Sequence, residues 1–300
     1  MIIRTVEHQI RKIGSQIPYL GGRSTQIPAI RQISLFGNFI TPAIDNALVT
    51  SDNELTTTTK SFAIIDELHE NDGASLSKLA DSLDIPKSTI YRHLGTLRKH
   101  GYVHMEDNEY HIGFRFLELG QYTQNRKDAY RLAEDPVKTL AEETGERAQF
   151  VVEEQDRGIY LYIETGKHAV RTGFSVGHEV PLHSTAAGKV ILSYLPEDRV
   201  SEILTKHELP ALTEETITDP KELQSQFDEI RERGYAFNRE ENIKGLRAVA
   251  GPVTDENDEI IGVLSVSGPS HRMKGEWFKS ELPDLVLGTA NELELRVAYA

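Results

Sequence analysis

The chain has 300 residues, no cysteine and a formal net charge of −14, with 47 acidic and 33 basic side chains. This length suits two domains, and the lack of cysteine excludes disulfides, thiolate catalysis and cysteine-ligated metals. No apolar run approaches the ~18 residues of a membrane helix, so we expect a cytoplasmic protein with no membrane partner. The acidity fits either ordinary solubility or a salt-rich cytoplasm. It argues against a general nucleic-acid binder, so local charge must decide any DNA interface.

Residues 1–55 differ in composition from the rest of the chain. The first 50 residues carry five basic side chains and two acidic ones, and Pro and Gly interrupt any helical or strand period. Two interpretations remain open: a flexible basic arm that touches DNA, or an upstream stretch included in error, with translation starting near Val49. We predict a disordered or wrongly included extension over residues 1–55.

Residues 56–114 show three short helical patterns and then a hairpin. Ser75 is a candidate N-cap for the second helix, and Gly101 ends the third. Tyr102–Met105 and Tyr110–Ile112 then form two strands around a polar turn. The apolar positions with helical spacing are Phe62, Ile65 and Leu68; Leu76, Leu79, Ala80 and Leu83; and Ile90, Leu94 and Leu97. This order predicts a winged helix-turn-helix, followed by a linker helix over residues 115–127.

Residues 128–300 mix helices and strands, which completes an α+β fold with a second, α/β domain. Asp219, Pro220 and Glu222 form a helix start, and Gly234 ends that helix. The other predicted helices are Tyr130–Thr144, Thr185–Tyr194 and Leu285–Tyr299. The predicted strands are Gln149–Glu153, Gly158–Glu164, Val170–Phe174, Leu246–Val253 and Ile260–Ser267.

The third helix carries the clearest chemical pattern. From Ile85 to Met105 there is no Asp or Glu, although the chain is strongly acidic, and the stretch contains Lys, Arg and His. Such a local electropositive patch suits phosphate contacts, and the second helix of a helix-turn-helix presents its N-terminal residues to base edges. The outward-facing residues that we predict to contact double-stranded DNA are Lys87, Ser88, Thr89, Tyr91, Arg92, His93 and Thr96.

Several segments resemble the IclR family of bacterial and archaeal regulators. The run LSKLADSLDIPKSTIYRHLGTLRKHGYV is similar to the DNA-binding helices of that family, and EYHIGFRFLELG is similar to its wing and linker. Farther along, three blocks of the family's effector domain are similar to PLHSTAAGKVILSYLP, GYAFNREENIKGLRAVAGPV and GVLSVSGP. The chain resembles in particular members of the family from halophilic organisms with acidic proteomes. The resemblance covers residues 58–300.

The resemblance implies a GAF-like effector-binding domain, homodimers or dimers of dimers, and repression or activation controlled by a small carboxylate or aromatic acid. It implies no cofactor. Asn238 departs from the family, because many members have an acidic residue there, and Ala248 stands where some have cysteine. The effector-pocket positions that the resemblance implies are Phe174, Thr185, Ala186, Ala187, Gly188, Asn238, Ala248, Leu264, Ser265 and Ser267.

Other motifs do not lead us to predict a catalytic or metal site. Gly173–Gly177 matches G-x-S-x-G, but no helix follows directly as a nucleophile elbow requires. His168, His178 and His183 lack metal-ligand spacing on a helix, and the neighbours Glu240 and Glu241 face opposite ways on an extended segment. We predict a regulator that binds DNA. An enzyme, or a ligand-binding protein that acts through protein partners, remains an alternative.

Overall fold

The computed structural model describes residues 54–170 and 173–300. Residues 54–300 form one compact unit. The predicted extension over residues 1–55 lies outside the described part, except for its last two residues, and so does the alternative start near Val49. Within the described residues, no helix combines the length and the apolar character needed to span a bilayer.

Three helices open the described chain: α1 (Thr56–Glu70), α2 (Leu76–Ser82) and α3 (Lys87–Lys99). The hydroxyl of Ser75 accepts a hydrogen bond from the backbone N–H of Lys78 at 3.3 Å. This bond satisfies one of the N–H groups that a helix start leaves without a partner. The predicted N-cap is therefore confirmed.

The three helices share one apolar core with the hairpin that follows. Its buried side chains are Ile64, Leu68, Ala74, Leu79, Ala80, Ile90, Leu94, Leu97, Val103 and Tyr110. The inward face predicted for α3 is confirmed. The face predicted for α1 is wrong in part, because Phe62 is 60% exposed while Ile64 is fully buried. Residues four apart, such as Ile64 and Leu68, stay closer to one face of a helix than residues three and six apart.

The hairpin consists of β1 (Val103–Glu106) and β2 (Glu109–Ile112), paired antiparallel. Its turn uses only Asp107 and Asn108, with φ of 48° and 66°. Two central residues with positive φ make the tight turn that matches the twist of a hairpin. For this reason the strands reach closer to the turn than the sequence predicted.

The linker helix α4 (Arg115–Asn125) follows directly; it begins where predicted and ends two residues before the predicted end at residue 127. None of its residues is buried within the described structure, and Phe114, Leu117 and Tyr122 are exposed apolar or aromatic side chains along it. Its C-terminal turn is fastened to the α/β domain by the side chain of Gln124, which donates to the carbonyl oxygen of Leu161 at 2.9 Å.

A six-stranded antiparallel sheet forms the centre of the second domain. Its strands are β3 (Arg147–Glu154), β4 (Arg157–Thr165), β5 (Glu179–Val180), β6 (Ala236–Arg239), β7 (Leu246–Thr254) and β8 (Ile260–Pro269). Their order across the sheet is β5-β4-β3-β8-β7-β6. The predicted strand Val170–Phe174 is not found at its described residues 170, 173 and 174, which lie in the long connection between β4 and β5. Gly173, with φ of 78°, turns the chain there.

Helices cover both faces of the sheet. Their bounds are α5 (Asp128–Leu132), α6 (Glu134–Thr144), α7 (Ala186–Tyr194), α8 (Glu197–Lys206), α9 (Pro220–Arg233) and α10 (Leu282–Ala298). The single helix predicted over Tyr130–Thr144 is two helices. Pro136, which has no N–H, sits in the first turn of the second one, where that N–H needs no helical partner.

Strand alternation divides the apolar residues into two cores. On one face, Phe150 and Leu264 pack with residues of α5, α6 and α10. On the other face, Val151, Tyr160 and Ala248 pack with residues of α7, α8 and α9. The start of α9 is as predicted: Asp219 accepts hydrogen bonds from the first-turn N–H groups, and the helix ends at Gly234 in the left-handed conformation.

Candidate DNA interface and effector cavity

The outer face of α3 is exposed and basic. Lys87, Ser88, Tyr91, Arg92 and Thr96 are exposed, as predicted for residues that contact DNA, whereas Thr89 is half-buried. Arg98 and Lys99 add two further basic side chains in the last turn. The face is held rigidly, because the opposite side of α3 is embedded in the core through its three buried aliphatic residues.

His93 differs from the other residues predicted on this face. Its ring is half-buried, and Nδ1 lies 2.8 Å from the hydroxyl of Ser61 in α1. Burial lowers the pKa of His93, and the nearby Lys60 and Arg92 charges lower it further, so the ring is neutral near pH 7. The predicted outward orientation is wrong: its position on the helix turns His93 toward α1.

The electropositive surface ends at the hairpin tip. Glu106, Asp107 and Glu109 are exposed there, with Glu106 directly opposite Glu109 in the ladder. His104 of β1 also lies at this tip, with Nε2 3.7 Å from a carboxylate oxygen of Glu106. Phosphate contacts are therefore favoured at α3 and disfavoured at the tip of the hairpin.

A partly open cavity lies between the sheet and the start of α7. Its described lining is Arg147, Gln149, Val151, Tyr160, Phe174, Val180, Thr185, Ala186, Ala187, Asn238, Asn242, Leu246, Ala248, Ser265 and Ser267. All the predicted effector positions except Gly188 and Leu264 are brought together here.

Gly188 and Leu264 are not among the residues that line the cavity, and the reason differs between the two. A Cβ on Gly188 would lie 2.3 Å from the carbonyl oxygen of Leu182, so this glycine allows the first turn of α7 to pack on the segment that enters it. Leu264 is fully buried in the core on the opposite face of the sheet. Because side chains alternate along a strand, Leu264 must point away from its neighbour Ser265.

The sequence predictions missed the contribution of β3. Arg147, Gln149 and Val151 alternate along this strand and all line the cavity. Gln149 Nε2 lies 3.2 Å from the hydroxyl of Ser267 and 3.4 Å from that of Ser265. The period of two was visible in the sequence, but only the pairing of β3 with β8 shows that these side chains meet the two serines.

Arg147 is the charged side chain among the described residues of the cavity wall. Its guanidinium lies over the rings of Tyr160 and Phe174, with Cζ 5.1 Å and 5.6 Å from the two ring centroids. Burial lowers the pKa of Arg147, but an arginine pKa starts so high that the group stays charged. Burial also raises the pKa of Tyr160, which keeps its hydroxyl neutral as a hydrogen-bond donor.

The N-terminus of α7 forms a second electropositive part of the wall. Thr185 caps the helix, since its hydroxyl accepts a hydrogen bond from the N–H of Gly188 at 3.0 Å. The N–H groups of Ala186 and Ala187 are among those that a helix start leaves without helical partners. Both residues line the cavity. The positive end of the helix dipole therefore reaches the cavity, an arrangement suited to an anion.

A buried polar network holds the opposite wall. Asn238 donates through Nδ2 to the carbonyl of Ser184 at 2.8 Å and accepts through Oδ1 from the N–H of Glu241 at 3.0 Å. Glu241 forms a buried ion pair with Lys189 of α7, 2.6 Å apart, and the ammonium of Lys189 also donates to Gln226 of α9. The amide of Asn238 therefore fastens the loop after β6 to the start of α7.

The structure also shows the surroundings of the motifs that we considered for a catalytic or metal-binding role. Ser175 of the G-x-S-x-G pattern is exposed in the connection before β5, away from any strand-to-helix turn. Glu240 pairs with Arg247 while Glu241 pairs with Lys189, so the two carboxylates do face apart. Within the described residues, no group of three or more possible ligands is placed to hold a metal ion.

Comparison with known proteins agrees with this architecture. The family model described as IclR helix-turn-helix domain matches residues 57–107, and the model described as bacterial transcriptional regulator IclR C-terminal matches residues 121–294. The probable HTH-type transcriptional regulator ArcR of Halobacterium salinarum is 34% identical over 82% of this chain and 95% of its own length.

Solved structures show the same fold. The IclR structure of Thermotoga maritima has a TM-score of 0.71 at 30% identity and covers 82% of this chain and all of its own. An IclR homologue of Microbacterium hydrocarbonoxydans, solved with 4-hydroxybenzoate, has a TM-score of 0.69 at 19% identity over 81% of this chain and 99% of its own, and shows the fold alone. Relatives are named as transcriptional regulators and not as enzymes. The chain belongs to the IclR family of transcriptional regulators, with a DNA-binding helix-turn-helix domain and a C-terminal effector-binding domain.

Proposed function

We propose that the chain regulates transcription by binding a specific DNA operator through α3, and that a small carboxylate or aromatic acid in the sheet cavity changes its operator affinity. The observation that carries the ligand class is Arg147, the charged side chain of the described wall. A cavity whose fixed charge is positive and partly desolvated favours an anion. The N-terminus of α7 supplies a second favourable electrostatic contribution.

The remaining wall suits a compact, partly aromatic molecule. Tyr160 and Phe174 offer ring faces, and Val151, Val180 and Ala248 are apolar. The opposite wall offers hydroxyl and amide groups from Gln149, Ser265 and Ser267. An acid with a flat apolar body and one further polar substituent satisfies both walls. The bound 4-hydroxybenzoate of the Microbacterium homologue has this chemistry, which makes it a suitable probe.

The binding test compares an acid with its neutral analogue. Thermal unfolding and calorimetry are measured with benzoate, 4-hydroxybenzoate, pyruvate and 4-hydroxybenzamide, using wild type, Arg147→Gln and Arg157→Gln. We expect an acid to stabilise wild type and the Arg157 control more than the amide does, and Arg147→Gln to lose most of that difference. Equal binding of the acid and the amide, or no binding of any acid, would contradict the proposal that the ligand is a carboxylate or an aromatic acid.

On the DNA side, we propose contacts from Lys87, Ser88, Thr89, Tyr91, Arg92 and Thr96, with His93 holding α3 against α1 through Ser61. Genome-wide occupancy of the tagged protein tests this, with wild type beside a Thr89→Ala, Arg92→Ala double variant. We expect sharp peaks for wild type and their loss in the variant, whose thermal unfolding should stay close to that of wild type because neither Arg92 nor Thr89 belongs to the buried core of this domain. Peaks that persist in the variant contradict the assigned reading face.

We further propose functional domains over residues 56–114, 115–127 and 128–300, and assembly as a homodimer or a dimer of dimers. The exposed apolar side chains of Phe114, Leu117 and Tyr122 along the linker favour contact with a second copy. A dimer also meets two operator half-sites together. Sedimentation equilibrium of Leu117→Glu, Tyr122→Glu beside wild type tests this: we expect weaker association. Unchanged association rejects this surface.

A further inference from the structure

The bond between Gln124 and Leu161 links α4 to the sheet. Gln124 is the half-buried residue in the last turn of α4, and its amide nitrogen lies 2.9 Å from the Leu161 carbonyl oxygen. A second contact between the same regions, the ion pair of Arg126 with Glu154, has both side chains about half exposed. Exposed ion pairs contribute little to stability, so the Gln124 bond is the better-defined connection.

Leu161 occupies an irregular position in the sheet. Phe150 pairs with Tyr162 and Val151 pairs with Tyr160, so Leu161 has no pairing partner in β3 and forms a β-bulge. A bulge leaves the extra residue outside the ladder and re-aims the side chains around it. Its carbonyl is therefore available to a donor outside the sheet, and Gln124 is that donor.

The bulge also lies beside the effector cavity. Tyr160, the residue before it, lines the cavity, and its ring centroid lies 5.9 Å from that of Phe174. The side chain of Leu161 points the other way, into the core formed with α5, α6 and α10. One peptide thus separates a cavity-wall residue from the carbonyl that anchors the linker helix.

We propose that Gln124 is the positioning residue through which occupancy of the cavity acts on the DNA-binding domain. This inference rests on the proposed function, because it needs a ligand that contacts Tyr160. A ligand that repositions Tyr160 shifts the bulge, which has no complete ladder to hold it, and moves the Leu161 carbonyl. The end of α4 follows through Gln124, and the start of α4 connects directly to β2 of the hairpin. Coupling of this kind requires the ligand to bind one arrangement better than the other.

The test separates coupling from binding. The full chain is compared as wild type, Gln124→Leu and Asn125→Leu; Asn125 is the matched control, because its amide donates to the Gln121 carbonyl within α4 itself. The ligand is whichever of benzoate, 4-hydroxybenzoate or pyruvate stabilises wild type most, and the DNA is a duplex selected by wild type from a random pool. Operator and ligand affinities are each measured alone and together.

For Gln124→Leu, we expect ligand affinity and ligand-free operator affinity close to wild type. The ligand-induced change in operator affinity should shrink by a factor of about 2 to 12, the range for one lost hydrogen bond. Asn125→Leu should keep the full change. A full change in Gln124→Leu would overturn the proposal, as would an equal loss in both variants. If no acid stabilises wild type, the proposed ligand class fails and this inference fails with it, whereas binding without coupling loss rejects only the role of Gln124.

Discussion

At the scale of single residues, Asp156 provides a prediction for stability against pH. Its buried carboxylate, in the turn between β3 and β4, accepts from Lys206 at 2.7 Å, from His207 at 2.9 Å and from Arg199. The hydrogen bonds from Lys206 and His207 contribute most to lowering the pKa of Asp156 from 3.8 to about 2. The ionised form is thus favoured by folding, which adds stability above pH 4 that is lost as the pH falls toward 2.

We expect Asp156→Asn to lower the free energy of unfolding by at most about 2 kcal/mol at pH 7. The difference from wild type should shrink to roughly half of that at pH 3, because the Asp156 carboxyl of the unfolded chain is then largely protonated while that of the folded chain is still largely ionised. Urea unfolding at both pH values measures it, with the exposed Glu256→Gln as a control that should show no such change. A difference that grows on acidification contradicts the assignment.

A pair of glycine substitutions tests how closely the first turn of α7 packs on the segment that enters it. A methyl group on Gly188 would meet the backbone of Leu182 at 2.3 to 2.6 Å, and backbone atoms cannot rotate away. We expect Gly188→Ala to cost about 1–3 kcal/mol or more. In Gly288→Ala, within α10, the new methyl meets nothing within 4 Å, so helix propensity should raise stability by up to about 1 kcal/mol. Urea unfolding decides between these signs, and equal effects would refute the packing argument.

The sequence predicts the environment of a side chain where the local spacing of residues along one helix or strand determines it. It does not predict that environment where the pairing with another strand determines which side chains meet. The inward face of α3 and the caps at Ser75 and Asp219 follow from local spacing. Arg147 was missed, because a charged residue early in a strand gives no local indication that it lines a cavity. Its role depends on the pairing of β3 with β8.

At the scale of elements, the buried ion pair ties three separate pieces together. Lys189 in α7, Glu241 after β6 and Gln226 in α9 meet over long sequence separations. The spacing of residues along a single helix or strand gives no indication of such a contact. Two elements of this region, α8 and β6, were also not predicted. For β6 the four-residue length leaves little alternation to detect, and its place at the sheet edge is fixed by β7.

A double-mutant cycle on this pair has a distinctive expected result. Removing one partner leaves an uncompensated buried charge, so Lys189→Met and Glu241→Leu should each cost about 3–5 kcal/mol of unfolding free energy. The double variant places two apolar side chains together and should recover most of that loss. Urea unfolding of the four proteins supplies the cycle. Losses that simply add would show that the two charges do not depend on each other.

At the scale of the whole molecule, two electrostatic effects oppose each other during DNA binding. The chain carries a net charge of −14, which repels a duplex, while α3 presents Lys87, Arg92, Arg98 and Lys99. At 0.1 M salt the Debye length is ~10 Å, so acidic groups farther than that from the phosphates are largely screened. Contacts at α3 should therefore dominate, and operator affinity should fall as salt rises.

The salt dependence of single variants counts these contacts. Each lost phosphate contact makes the slope of log affinity against log salt less negative by ~0.9 per binding face. We expect Lys99→Ala to change the slope by that amount, because its side chain is exposed at the end of α3, and Lys274→Ala, exposed in the α/β domain, to leave it unaltered. The slope for each variant is measured by titrating a labelled duplex at KCl concentrations from about 0.05 to about 0.3 M, which span the screened regime. Affinity that rises with salt in wild type would mean that repulsion by the acidic body outweighs the contacts of α3.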